Sequence, residues 1–165
     1  MRKRLGSVMI TTLFCFSILS VICLSCLDII RSNNDIVSVY EDSLSLQYEV
    51  KGGVNLAYSK ILEEVNKAIE IVKEDEYPKD KYKDYFLGSN KINFIKSIET
   101  LDSENINLDV INNKIYIEGD YIRLDISCSK SNKEIKKSAK CSFKINMNIE
   151  DTNKNQVYKY NYKEI

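Results

Sequence analysis

Residues 1–28 read MRKRLGSVMITTLFCFSILSVICLSCLD, and this stretch decides the fold because it separates a segment that must leave water from a chain that need not. Arg2, Lys3 and Arg4 precede an uncharged run over residues 5–27, and Asp28 closes it. As a helix rising about 1.5 Å per residue, the run covers roughly 34 Å, enough for the ~30 Å hydrocarbon core of a bilayer. Basic residues ahead of the span predict a cytoplasmic N-terminus and an extracytoplasmic C-terminal part. The protein is therefore expected to be a single-pass membrane protein, with the remainder of the chain at the cell surface.

Apolar residues continue past the run at helical steps through Ile30, Val37, Tyr40, Leu44, Tyr48, Val54, Tyr58, Ile61, Val65, Ala68 and Val72. Asn33, Asp35, Glu41, Asp42, Glu49, Lys51, Lys60, Glu63, Glu64 and Lys67 fill the opposite side. The spacing predicts a transmembrane helix over 7–30 with an amphipathic continuation over 31–73. Gly52-Gly53 is expected to kink it, since each glycine weakens a helix by roughly 1 kcal/mol relative to Ala. The charged run 74–81, with the only Pro of the chain at position 78, should end the helix.

From there to residue 165 a domain of different pattern follows. A short helix or turn is expected around 92–101, and then period-2 alternation takes over. Ile106, Leu108 and Val110 alternate with polar residues, Asn112-Asn113 offers a tight turn, and Ile115 and Ile117 continue. Ile122, Leu124, Ile126 and Cys128 line one side of the next run, and Cys141, Phe143, Ile145, Met147 and Ile149 the one after it. Tyr158, Tyr160 and Tyr162 oppose Val157, Lys159, Asn161 and Lys163 in the last, and this tyrosine row is expected to pack against the helix, with contact to a neighbouring subunit or wall material as the alternative. The fold class is α+β: a long N-terminal helix laid on an antiparallel sheet of four or five strands.

The 24 basic and 24 acidic residues give a net charge of zero, and His and Trp are absent. A neutral chain lacks the excess positive charge that marks nucleic-acid binders, so no nucleic-acid contact is read from the composition. Without His there is no Ser-His-Asp or Cys-His catalysis and no histidine metal site. No catalytic, cofactor-binding or metal-ligating residue is assigned, and an enzyme is not expected. Asp151-Thr152-Asn153-Lys154-Asn155 begins like a calcium loop, but Gln156 stands where the turn glycine belongs and Tyr162 where the bidentate Glu belongs. It reads as a hairpin turn, and residues 133–137 as a solvated loop. Cys128 and Cys141 sit symmetrically about the connection between their strands, which makes a cross-strand disulfide a candidate in an exported domain, with two buried thiols as the alternative.

Three processing fates are open for residues 1–30. A secretory signal would be removed whole; a lipoprotein would be lipidated at Cys26; a retained helix would stay in the chain. Gly6 between the basic leader and the apolar run, with Ser7 after it, resembles the class III leader of type IV pilins and type II secretion pseudopilins. The segment from Gln47 to Tyr58, with Gly52-Gly53 at its centre, is similar to a recurring motif of PilX-type minor pilins, and the likeness covers residues 2–62. The resemblance implies cleavage by prepilin peptidase between Gly6 and Ser7, retention of the apolar helix, and a non-catalytic subunit that partners with other pilin subunits and inner-membrane assembly proteins in a pilus-like or secretion filament. Thr11 stands at the fifth mature position, where major pilins carry Glu, which points to a minor or tip-associated subunit. The competing class is a surface-tethered binding module.

Overall fold

The computed structural model describes residues 2–73, 78–101, 106–132, 135–149 and 155–165. Its elements run α1 (Arg2–Val72), α2 (Pro78–Leu87), α3 (Lys91–Glu99), β1 (Asn107–Glu118), β2 (Tyr121–Asn132), β3 (Ile135–Asn146) and β4 (Val157–Glu164). The chain divides into two compact units, Met1–Asp42 and Ser43–Ile165.

The first unit is helix alone, and every described side chain from Ser7 to Glu41 is exposed. Alpha-helix α1 is the one helix among the described residues that is long and apolar enough to cross a membrane. Its hydroxyls suit that setting. Thr11 Oγ1 donates to Ser7 O, Thr12 to Met9 O, Ser17 to Leu13 O, Ser20 to Phe16 O and Ser25 to Val21 O, each at 2.9 Å. Hydroxyls bonded back to the preceding turn need no water, which is what a hydrocarbon environment demands.

In the second unit the part of α1 beyond residue 42 lies on a four-stranded antiparallel sheet of order β1-β2-β3-β4. Leu46, Val50, Val54, Ala57, Ile61, Val65, Ala68 and Val72 are its buried stripe, spaced by threes and fours. Against them stand Leu108, Val110 and Ile115 of β1, Ile122, Leu124, Ile126 and Cys128 of β2, Ala139, Cys141, Phe143 and Ile145 of β3, and Val157 of β4. Each fully buried Val, Leu, Ile or Phe contributes roughly 1.5–3 kcal/mol over its exposed state. Tyr58 stacks on Phe143 with ring centroids 6.4 Å apart. Around the rim, Lys130 pairs with Glu49 and Lys159 Nζ donates to Asn55 Oδ1 at 2.8 Å.

Several expectations change. The helix runs unbroken through Gly52 and Gly53, and the reason is on the sheet: a Cβ at Gly53 would lie 2.6 Å from Cys128 Sγ and 2.8 Å from Ile106 Cγ2. Gly53 serves close approach, while Gly52 faces open space. Tyr48 is exposed, because the buried stripe passes through Leu46 and Val50 instead. Asn112 and Asn113 do adopt positive φ, 58° and 50°, yet they form a bulge within one continuous β1 rather than a turn between two strands. The sheet therefore has four strands, and the turn after β1 falls at Gly119, φ +61°. Strands β2 and β3 extend to the pair Asn132↔Ile135, so residues 135–137 belong to β3; Lys133 and Glu134 lie outside the described residues. So do Asp151, Thr152, Asn153 and Lys154 of the calcium-like stretch, which connects the antiparallel neighbours β3 and β4.

Helix α2 falls where the sequence shows mainly charge. Pro78 begins it, a position where the missing N–H costs nothing, and Tyr82 and Phe86 at i, i+4 are fully buried. Phe86 packs edge-on against Tyr82, Tyr85 and Phe94, with centroids 5.2, 5.1 and 5.0 Å away. Tyr85 Oη donates to Glu64 Oε2 at 3.0 Å, tying α2 to α1. Glu99 of α3 accepts the Val110 amide at 3.3 Å and so caps part of the open edge of β1.

Candidate functional site

The residues singled out by sequence fall in two places. Gly6 and Ser7 lie within the first turns of α1, and Ser7 is exposed. Cys15, Cys23 and Cys26 are exposed on the first unit.

Cys128 and Cys141 are buried free thiols on the helix-facing side of the sheet. The register sets Cys128 opposite Ala139 and Cys141 opposite Ile126, so the two cysteines are diagonal rather than directly opposed. The symmetric-hairpin premise fails because the pairing Asn132↔Ile135 centres the hairpin one residue earlier than the cysteines do. Burial pushes the Cys128 thiol up to about 11 and raises that of Cys141, whose Sγ donates to Tyr160 O at 3.5 Å. Both thiols are expected to stay unreacted with iodoacetamide at pH 8 until the domain unfolds, as mass spectrometry would show. A thiol pKa raised in the folded state favours folding while the thiol is protonated in both states. That contribution falls away as pH climbs from the unfolded value of 9 through the folded value of about 11.

The other side of the sheet holds an organised cluster that alternation alone does not reveal. Cross-strand register aligns Tyr116, Arg123, Lys144 and Tyr158 in one row across all four strands, with Asp125, Ser142 and Tyr160 in the adjacent row. The Arg123 guanidinium lies 5.4 Å from the ring centroids of both Tyr116 and Tyr160. Lys144 Nζ lies 4.9 Å from the Tyr160 ring and 5.8 Å from that of Tyr121. Tyr121 and Tyr158 meet edge-on at 5.9 Å. Glu118 bridges both cations, 3.0 Å from Lys144 and 3.6 Å from Arg123, and the Lys144 hydrogen bond holds its carboxyl below the usual carboxylate range. Asp125 sits 3.4 Å from Arg123 and accepts from Ser142 Oγ at 2.6 Å. Cation–π contacts of this kind are worth about 0.5–1 kcal/mol each at exposed sites; together they fix the rings in place.

This placement divides the tyrosine row. Asn161, at φ 52°, marks the shift of register between β3 and β4. Tyr158 and Tyr160 stand on the side away from α1, against the expectation that they pack on it. Tyr162 lies beyond the bulge on the α1 side, and its Oη donates to Glu164, which also accepts from Gln47. Alternation carries only one strand's share of the cluster: Tyr121, Arg123 and Asp125 occupy the positions between the buried Ile122, Leu124 and Ile126.

Among the described residues no group of three or more His, Cys, Asp or Glu side chains is placed to hold a metal ion. No protein-family model matches the chain, and no curated protein or solved structure is significantly similar to it.

Proposed function

We propose that this chain is a non-catalytic, membrane-anchored subunit of pilin type: cut between Gly6 and Ser7, held by residues 7–30 in the bilayer, and assembled through that helix into or at the tip of a type IV pilus-like or secretion filament. The observation that carries the reading is the first unit itself. A helix exposed from Ser7 to Glu41 and uncharged to Leu27, with the hydroxyls of Thr11, Thr12, Ser17, Ser20 and Ser25 bonded within it, presents the surface that lipid or other apolar helices cover. Helices that exchange lipid contacts for one another gain through van der Waals packing rather than a hydrophobic drive, so Thr11 in place of an acidic residue is compatible with docking. The helix continues, as α1, into the part that backs an antiparallel sheet, an arrangement suited to displaying a domain outside the membrane.

The test is processing. Co-expression with a prepilin peptidase should shorten the chain by residues 1–6, and Gly6→Val should leave it full length while the protein stays in the membrane. An unshortened wild-type chain beside an active peptidase would contradict the reading.

A further inference from the structure

The neutrality of the whole chain conceals a sorted surface. On the sheet side away from α1, register and alternation place five basic residues, Arg123, Lys136, Lys140, Lys144 and Lys163, against three acidic ones, Asp109, Glu118 and Asp125. The three acids sit toward β1 and β2, and two of them engage Arg123 and Lys144. The remaining positive charge gathers on β3 and β4. There Lys140 and Lys163 are direct cross-strand partners, both are exposed, and neither has an ion-pair partner among the described residues. Like charges directly opposed on neighbouring strands destabilise a sheet; an anion laid across them removes that cost. Lys136, Lys140 and Lys144 recur at every fourth residue of β3, which at about 3.4 Å per residue spaces them roughly 14 Å apart. That is the periodicity of a track for an extended polyanion rather than of a pocket for a single ion. Ser127, Ser129, Ser138 and Asn107 occupy positions on the same side, giving it hydroxyl and amide groups besides its charges.

We infer that this sheet face is a docking surface for an acidic polysaccharide, a glycan chain bearing carboxylates, lying along β3 across Lys136, Lys140 and Lys144 with Lys163 beside them. A polymer of sugars fits better than a single-stranded nucleic acid. Base recognition without sequence relies on free aromatic faces for stacking, whereas the rings of Tyr116, Tyr121 and Tyr160 already carry the Arg123 and Lys144 head groups. Those rings, with Lys144 held between them and Glu118, form the rigid end of the lysine track, and the hydroxyl-lined floor offers hydrogen bonds to sugar hydroxyls. The inference places the ligand outside the cell and in that respect rests on the proposed orientation, but binding by the purified chain does not depend on leader processing, so the two can fail separately.

The test uses the full-length chain in detergent micelles, titrated at low salt with polygalacturonate, neutral dextran and oligothymidylate. Polygalacturonate should bind with an affinity that falls steeply as salt rises, and dextran should not bind. Lys140→Gln with Lys163→Gln should weaken polygalacturonate binding about tenfold, the equivalent of about 1.4 kcal/mol, while the thermal midpoint stays level or rises as the opposed charges are relieved. Failure to bind polygalacturonate overturns the inference. So does a double variant that folds and binds like the original, or a tighter complex with oligothymidylate, which would make this a nucleic-acid surface.

Discussion

Gly53→Leu should abolish folding of the Ser43–Ile165 unit, while Gly52→Ala should stabilise it. The two glycines are neighbours on one helix and read alike in sequence. At position 53 even a single methyl group would come within 2.8 Å of two side chains, Cys128 and Ile106, both part of the packing on the helix-facing side of the sheet. Overpacking a core by a methylene or two commonly costs about 1–3 kcal/mol. A leucine adds more volume than that, where a Cβ alone would already meet Cys128 and Ile106, and would have to push α1 away from β2. Domains of this size have only about 5–15 kcal/mol of stability in all. Gly53→Ala should fall between, losing about 1–3 kcal/mol. At position 52 a Cβ meets nothing within 4 Å, so replacing glycine by alanine should return the roughly 0.5–1 kcal/mol that glycine costs in a helix interior. Urea titration of the three variants followed by circular dichroism measures the ordering; equal effects at both positions would contradict the packing described here.

Ile18→Arg with Ile22→Arg should release the protein from the membrane. The uncharged run contains twelve Leu, Ile, Val and Phe residues, each worth roughly −0.3 to −0.6 kcal/mol at the centre of an inserted helix, so about −5 kcal/mol together. Two arginines near the centre cost roughly 2.5–3.5 kcal/mol each and remove two of the favourable residues, which reverses the sign. The substituted positions are exposed and belong to the first unit, so the fold of Ser43–Ile165 has no reason to change. Carbonate extraction of membranes should find the original chain in the pellet and the double variant in the supernatant. A double variant that stayed in the pellet would mean that residues 7–30 are not what holds the chain there.

These two predictions also mark where sequence and structure part company. The apolar run over 5–27, the helical steps from Val54 to Val72 and the alternating strands were readable because burial imposes a period, and a period survives in one dimension. What periodicity cannot carry is register. Asn112-Asn113 offers the same positive φ to a turn and to a bulge, and only the pairing of β1 with β2 decides between them. A shift of one residue in the hairpin centre moved Cys128 and Cys141 from opposed to diagonal. The single bulge at Asn161 sent Tyr158 and Tyr160 to one side of the sheet and Tyr162 to the other. Helix α2 escaped notice because its buried residues, Tyr82 and Phe86, are one pair in a strongly charged stretch, too few to set a period. Gly53 looked like a point of weakness because a helix considered alone has no neighbour; its partner, Cys128, lies on β2. The cation–aromatic cluster needed all four strands in register before Tyr116, Arg123, Lys144 and Tyr158 became a row.

The most direct measurement of the central claim is the intact mass of the protein isolated from the membranes of its own cells, together with the sequence of its first residues. A pilin-type subunit should begin at Ser7 and retain residues 7–30, with Cys26 unmodified. A chain beginning at a diacylglyceryl-modified Cys26 would contradict the account outright, since the helix proposed to anchor and pack the subunit would be gone.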